Sequence, residues 1–274
     1  MSGIVIGIDP VALQIGHFML RWYSIFFGLA ILAGVWVGVR EAARRGLNVD
    51  QVQSLAMWSV GGGLIGARLF HVIDRWELYA ADPLRAFALW EGGLAVYGGL
   101  IGGVLTGLAF ALRKRLPVWH VADAAAPGMI LGQGIGRLAC IPNGDAIGAP
   151  AAVPWAFIYT NPASMVPEQL RGVPLHPYAV YELIFDLGLF ALLWRLRSHP
   201  LFARPGTLFL FYVAAYSLGR FALSYYRVER VWFAGLQEAQ VLSLAGLAAA
   251  LIAATVLFAR DARTSRPVVA AQAG

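Results

Sequence analysis

Apolar residues run along this chain in stretches of about 20, each long enough as a helix to cross a hydrocarbon layer. They predict about seven helices, at roughly 18–39, 52–72, 93–112, 120–141, 177–194, 206–226 and 236–258. Basic clusters punctuate every second connection: Arg40, Arg44 and Arg45; Arg113, Lys114 and Arg115; Arg195, Arg197 and Arg204; Arg260, Arg263 and Arg266. Basic loops stay in the cytoplasm, so the N-terminus is expected outside and the C-terminus inside. The alternate loops carry mixed charge, as in Asp74, Arg75, Glu77, Asp82, Arg85 and Glu91. The longest of these, 143–176, has five prolines among Trp155, Phe157 and Tyr159 and is too interrupted to span. Val153–Tyr159 reads as a short strand, so 143–176 is expected to form a small ordered cap on the outer face between spans four and five. With no repeat and no linker, the expected architecture is all-α: one polytopic integral-membrane domain over 1–274, with the cap as an insertion.

Composition agrees with the pattern. The chain is 59% hydrophobic and 13% charged, with a mean hydropathy of +0.66, which excludes an ordinary soluble domain. Its net charge of +6 comes from the loop clusters and so reports topology, not nucleic-acid binding. One cysteine permits no internal disulfide. Met1–Pro10 lacks a basic stretch before an apolar core, which argues against a cleaved signal peptide. The five histidines are scattered, so neither a metal nor another cofactor is expected.

Charges within the apolar runs change the picture most, because each is costly there and marks a wet interior or a function. They are Arg68, Asp123, Arg137, Glu182, Asp186 and Arg220. With the topology above, Arg68, Arg137 and Arg220 fall late in outward-running spans, while Tyr23, Tyr97, His176 and Glu182 fall early in inward-running ones. A polar cavity toward the outer leaflet follows, and its arginines suit an anionic lipid headgroup. Simpler readings stand beside this one. On these, Arg137 snorkels to the interface, and Arg68 or Arg220 is ion-paired with Glu182 or Asp186. Tyr23 would serve as an interface anchor and His176 as a helix start, while Asp123, nearer the cytoplasm, is structural. The runs Gly61–Gly63 and Gly98–Gly103 point to close helix packing.

The segment Gly132-Gln-Gly-Ile-Gly-Arg-Leu-Ala-Cys-Ile-Pro-Asn-Gly-Asp-Ala-Ile-Gly148 concentrates the polar chemistry. It resembles the prolipoprotein diacylglyceryl transferase signature G-R-x-G-N-F-x-N-x-E-x-x-G, with Arg137, Asn143 and Gly148 in register. Ala139, Cys140 and Asp145 stand where that pattern has Gly, Asn and Glu. Further likenesses follow in order: Gly66-Ala67-Arg68; Trp90-Glu91-Gly92-Gly93 through Tyr97-Gly98-Gly99; His176-Pro177 with Tyr181-Glu182; Tyr216-Ser217-Leu218-Gly219-Arg220-Phe221; and Ala239-Gln240 with Ser243. Tyr97 stands where many members have His, and Ser224 where they often have Glu.

The resemblance implies transfer of the diacylglyceryl group of phosphatidylglycerol to the lipobox cysteine thiol of a prolipoprotein signal peptide, with release of glycerol phosphate. This would be the first step of lipoprotein maturation, at the bacterial cytoplasmic (inner) membrane, with no nucleic acid involved. It implies Arg137 and Arg220 as stabilisers of the leaving phosphate and Tyr97 or His176 as proton acceptor. Tyr23, Arg68, Asn143, Asp145, Gly148 and Glu182 would bind substrate. Two rivals remain at this point: Cys140 as a covalent nucleophile, and a non-catalytic phospholipid-binding or lipid-handling protein on the same fold.

Overall fold

The computed structural model describes residues 3–16, 18–88, 92–229 and 231–264. Trp90, Glu91 and Arg266 lie outside these, as do the side chains of Arg260 and Arg263. The long helices are α1 (Trp22–Arg44), α2 (Val49–Asp74), α3 (Val96–Arg113), α4 (Val118–Asn143), α5 (Tyr178–Leu196), α6 (Thr207–Leu223) and α7 (Glu238–Thr264). Among the described residues, five regions are long and apolar enough to cross a membrane: α1, α2, α3, α6 with the turn after it, and α7. The other two, α4 and α5, are as long, but they carry Asp123, Gln133 and Arg137, and Glu182, Asp186 and Arg195.

Short strands join the helices. β1 (Ile4–Ile6), β2 (Val11–Ile15) and β3 (Phe18–Arg21) precede α1; β4 (Phe157–Tyr159) and β5 (Pro174–Leu175) precede α5; β6 (Val231–Phe233) and β7 (Leu236–Gln237) precede α7. β4 lies parallel to β1, with Val5 opposite Ile158, and antiparallel to β5. Strand β3, paired with β2 in a hairpin, occupies residues that read as the start of the first helix, since a short run such as Phe18-Met-Leu has no period that separates helix from strand. The hairpin β6–β7 turns on Ala234 and Gly235, both at positive φ, the backbone twist that joins tightly paired strands.

By contacts the chain forms two compact units, residues 1–36 with 126–274, and residues 37–125. In the first, α5 buries Tyr178, Glu182, Asp186, Leu189 and Leu193, a single stripe at helical spacing. Its apolar part meets Ala126 and Ile130 of α4 and Leu208 and Tyr212 of α6 in one core cluster. Phe185 packs so closely on Gly219 that a side chain there has no room. The sheet β1–β4–β5 has its own core of Ile6, Phe157, Tyr159, Val166 and Leu175.

In the second unit α2 and α3 meet through Gly66, Gly98 and Gly102, where the backbone of the other helix occupies the space of a side chain. Glu41, fully buried, accepts from Arg44 at 2.5 Å and Arg45 at 3.0 Å, and Arg45 also reaches buried Asp123 at 3.3 Å. Asp123 is therefore an ion-paired residue of this cluster.

Candidate active site

Three charges that stand out in the apolar sequence meet in the first unit. Oε1 of Glu182, on the buried stripe of α5, accepts from Nη2 of Arg137 at 2.7 Å and Nη1 of Arg220 at 2.9 Å. The Glu182 side chain is 1% exposed, Arg137 22% and Arg220 14%, so the carboxylate is sealed while both arginine side chains retain some access. Tyr212, Tyr216 and Arg220 succeed one another every fourth residue on α6, which carries the arginine to this face. Tyr216 is in electrostatic contact with Glu182, Arg137 and Arg220.

The charged string continues beyond α6. Nη2 of Arg220 lies 3.5 Å from Oε1 of Glu229, and the same oxygen lies 2.8 Å from Nη1 of Arg227. The guanidiniums of Arg220 and Arg227 both lie over the ring of Tyr178, at 5.5 and 5.2 Å, and Arg220 also donates to the Tyr178 hydroxyl. Arg137, Glu182, Arg220, Glu229 and Arg227 therefore alternate in charge, and three guanidiniums against two carboxylates leave one positive charge in the string. Such an array, largely withdrawn from water, is suited to an anion carrying a single charge.

Beside Arg137 the end of α4 and the turn after it gather a second group. Cys140 Sγ is 3.6 Å from Oδ2 of Asp145, while Oδ1 of Asp145 is buried without a hydrogen-bond partner among the described residues. Tyr23, on α1, is in electrostatic contact with Asp145, Cys140 and Arg137. Tyr159 of β4 also faces Asp145 and Cys140, and its hydroxyl is pushed above the usual tyrosine range by burial, then by these two neighbours. Cys140 packs with Ala146, Tyr178 and Ala179 in an apolar cluster, surroundings that disfavour a thiolate and weigh against its being a nucleophile. Asn143 is buried, and its Nδ2 donates to Met165 Sδ at 3.2 Å.

Gly148 is where chain segments touch. A Cβ there would lie 2.5 Å from the His176 carbonyl oxygen and 2.8 Å from that of Tyr226, so only glycine fits. Its N–H donates to His176 O at 3.2 Å, and Ala149 N–H to Tyr226 O at 2.8 Å. His176 in turn shares a hydrogen bond of 3.1 Å between its Nδ1 and the Tyr181 hydroxyl, which accepts from Trp155 Nε1 at 2.8 Å.

Arg68 and Tyr97 belong to the second unit. Arg68 is buried, and its guanidinium donates to the carbonyls of Arg85, Ala86, Ala88, Gly92 and Gly93, so its N–H groups are engaged by backbone. Tyr97 is half-exposed in the first turn of α3, which is pinned to α2 by Ala95 N–H donating to Ala67 O at 3.0 Å.

Reading the sequence alone leaves Tyr178, Tyr216, Arg227 and Glu229 out of the site. The two tyrosines had a signal, their four-residue spacing from Glu182 and Arg220. Arg227 and Glu229 had none, since charges just past a span look solvated.

A family profile described as prolipoprotein diacylglyceryl transferase matches residues 10–256. A phosphatidylglycerol–prolipoprotein diacylglyceryl transferase of Nostoc sp. is 40% identical over 92% of this chain and 90% of its own length. Proteins of the same name from Gloeobacter violaceus and Bacillus cereus are 36% and 37% identical, over 94% and 86% of this chain and 96% and 87% of theirs. With nine-tenths of its residues inside the match, the chain belongs to the prolipoprotein diacylglyceryl transferase family.

Proposed function

We propose that this chain, a transferase by its family, moves the diacylglyceryl group of phosphatidylglycerol to the lipobox cysteine of a prolipoprotein. The observation that carries the reading is the Glu182 oxygen shared by Arg137 and Arg220 within a string of one net positive charge. A phosphodiester headgroup brings one negative charge, and its departure as a phosphate monoester adds more. In the reaction the substrate sulfur bonds to the glyceryl carbon, the carbon–oxygen bond to phosphate breaks, and glycerol phosphate leaves with the electron pair. Charge grows on the phosphate oxygens as that bond breaks, and the two prepositioned guanidiniums stabilise it best at that moment.

The nucleophile is the substrate's thiol, so the enzyme supplies only a proton acceptor and orientation. Tyr97 and His176 are the acceptors proposed. Tyr23, Asn143, Asp145 and Gly148 shape the lipid and peptide site, with Glu182 holding the two arginines. Arg68, its donors occupied by carbonyls, takes part in substrate binding indirectly, as the brace of the segment before α3.

All seven helices are proposed to span the cytoplasmic membrane, with α4 and α5 crossing as interior helices whose polar faces are covered by neighbours. The segment 143–176 forms the outer cap. Reporter domains fused after Arg115 and after Glu168 are expected on opposite sides, the first in the cytoplasm. The same side for both would overturn this topology.

The activity test uses the purified chain in vesicles containing phosphatidylglycerol, with a lipobox peptide. Mass analysis is expected to find the peptide heavier by one diacylglyceryl group and to find glycerol phosphate released. Folded protein that binds phosphatidylglycerol and yields no adduct would favour the lipid-handling alternative.

A further inference from the structure

Arg220 is tethered at both of its terminal nitrogens, and the two tethers come from different parts of the chain. Nη1 is held by Glu182 and Tyr178 inside the helical core, Nη2 by Glu229 from beyond the helix end. One helical turn after Arg220, where family members often have Glu, this chain has Ser224. Ser224 cannot serve. Its hydroxyl is buried and donates to the carbonyl of Arg220 itself at 2.6 Å. The acidic group arrives instead five residues later, where the chain has left the helix and turned back.

We propose that Glu229 is a positioning residue for the transfer, replacing in space the carboxylate missing at 224, and that it orients Arg220 and Arg227 together toward the lipid phosphate. The proposal rests on the transferase reading given above. Without a second carboxylate, Arg227 would face Arg220 unscreened over the ring of Tyr178. Glu229 removes that repulsion by placing a single oxygen 2.8 Å from Arg227 and 3.5 Å from Arg220.

The backbone just before Glu229 is tied to two other segments, which fixes the place from which its side chain reaches the arginines. Tyr226 O accepts from Ala149 N–H at 2.8 Å, Arg227 O accepts from Gln237 Nε2 at 3.0 Å, and Arg227 bridges to Gly148. Through these ties the fit of Gly148 against Tyr226 bears on the arginines as well. Glu229 is 18% exposed, and Glu229→Gln keeps its size and an acceptor oxygen for both arginines. Its effect should therefore appear in the reaction more than in folding.

The experiment measures adduct formation in phosphatidylglycerol vesicles for Glu229→Gln, with thermal unfolding in detergent as the folding control. The rate at saturating lipid is expected to fall about 10- to 100-fold, the cost of a slight misplacement of a catalytic group, while unfolding stays at the parent's temperature. Adding Ser224→Glu to Glu229→Gln puts a carboxylate four residues from Arg220, within reach on a helix, and is expected to regain at least about tenfold. A folded Glu229→Gln within twofold of the parent, or a folded double variant no faster than the single one, would overturn the proposal.

If Ser224→Glu does not fold, a cycle of Arg227→Gln and Glu229→Gln decides. Loss in the double variant no larger than in the worse single variant supports a shared role, and independent, multiplying losses refute it. If the parent itself gives no adduct, it is the transferase reading that fails. Displacement of a fluorescent phosphatidylglycerol from the detergent-solubilised protein then tests Glu229: weaker binding in Glu229→Gln keeps the positioning role, and unchanged binding removes it.

Discussion

Arg137→Ala is expected to abolish diacylglyceryl transfer in the vesicle assay while leaving the protein inserted in the membrane. Removal of one prepositioned donor from a developing oxyanion costs about a hundred- to a thousandfold in rate. Arg137 carries more donors than the one that meets Glu182 at 2.7 Å, because a guanidinium has five N–H groups. Arg137→Lys is expected to recover little. A single ammonium keeps the charge but cannot engage Glu182 and a phosphate oxygen in the fixed planar geometry of a guanidinium. Adduct formation by the alanine variant within about tenfold of the parent would take Arg137 out of the mechanism. Parallel loss of insertion and activity would mark it as a folding residue, and so yield of membrane-inserted protein is measured beside the rate.

How much of this was legible beforehand depends on what kind of signal each residue left. The helices were legible because a 20-residue apolar run has few alternatives, and the errors lie at their ends. α1 runs on to Arg44 because Glu41 pairs with Arg44 and Arg45 three and four residues ahead. α2 begins after Asn48, whose side chain accepts from Gln51 N–H at 3.0 Å. Strand β4 was visible as the core of Val153–Tyr159, but its parallel partner Ile4–Ile6 lies far off in sequence, and no local pattern announces such a pairing.

In the site, Arg137, Glu182 and Arg220 stood out because each is expensive in an apolar run and so had to be paired or used. Arg68 gave the same signal for another reason, a guanidinium satisfied by five carbonyls. Sequence cannot separate these two outcomes. Glu229 was illegible for the opposite reason. In a connecting loop a carboxylate costs nothing, and only the return of the chain onto Arg220 gives it meaning.

The largest stability effect is expected at Glu182, and the contrast with Asp186 makes it decisive. Both carboxylates are fully buried on one face of α5, a single turn apart. Glu182 accepts from two guanidiniums, whereas neither oxygen of Asp186 has a partner among the described residues. Glu182→Ala leaves Arg137 and Arg220 buried without their shared anion. Breaking a buried pair on one side costs about 3–5 kcal/mol, enough to exhaust a large part of an ordinary folding stability. Glu182→Gln keeps an acceptor oxygen and should cost less, yet it still leaves two positive charges facing each other and should lose transfer nearly as fully.

Asp186→Asn replaces a carboxyl group of equal burial whose oxygens have no hydrogen-bond partner among the described residues, and it is expected to be neutral in stability to within about 1 kcal/mol or to stabilise. Thermal unfolding in one detergent ranks the three variants. The order Glu182→Ala, Glu182→Gln, Asp186→Asn, from most to least destabilised, follows only if pairing with the arginines governs the cost. Equal losses for Glu182→Gln and Asp186→Asn would assign it to burial alone, and the shared oxygen of Glu182 would then be a contact without the organising role given to it.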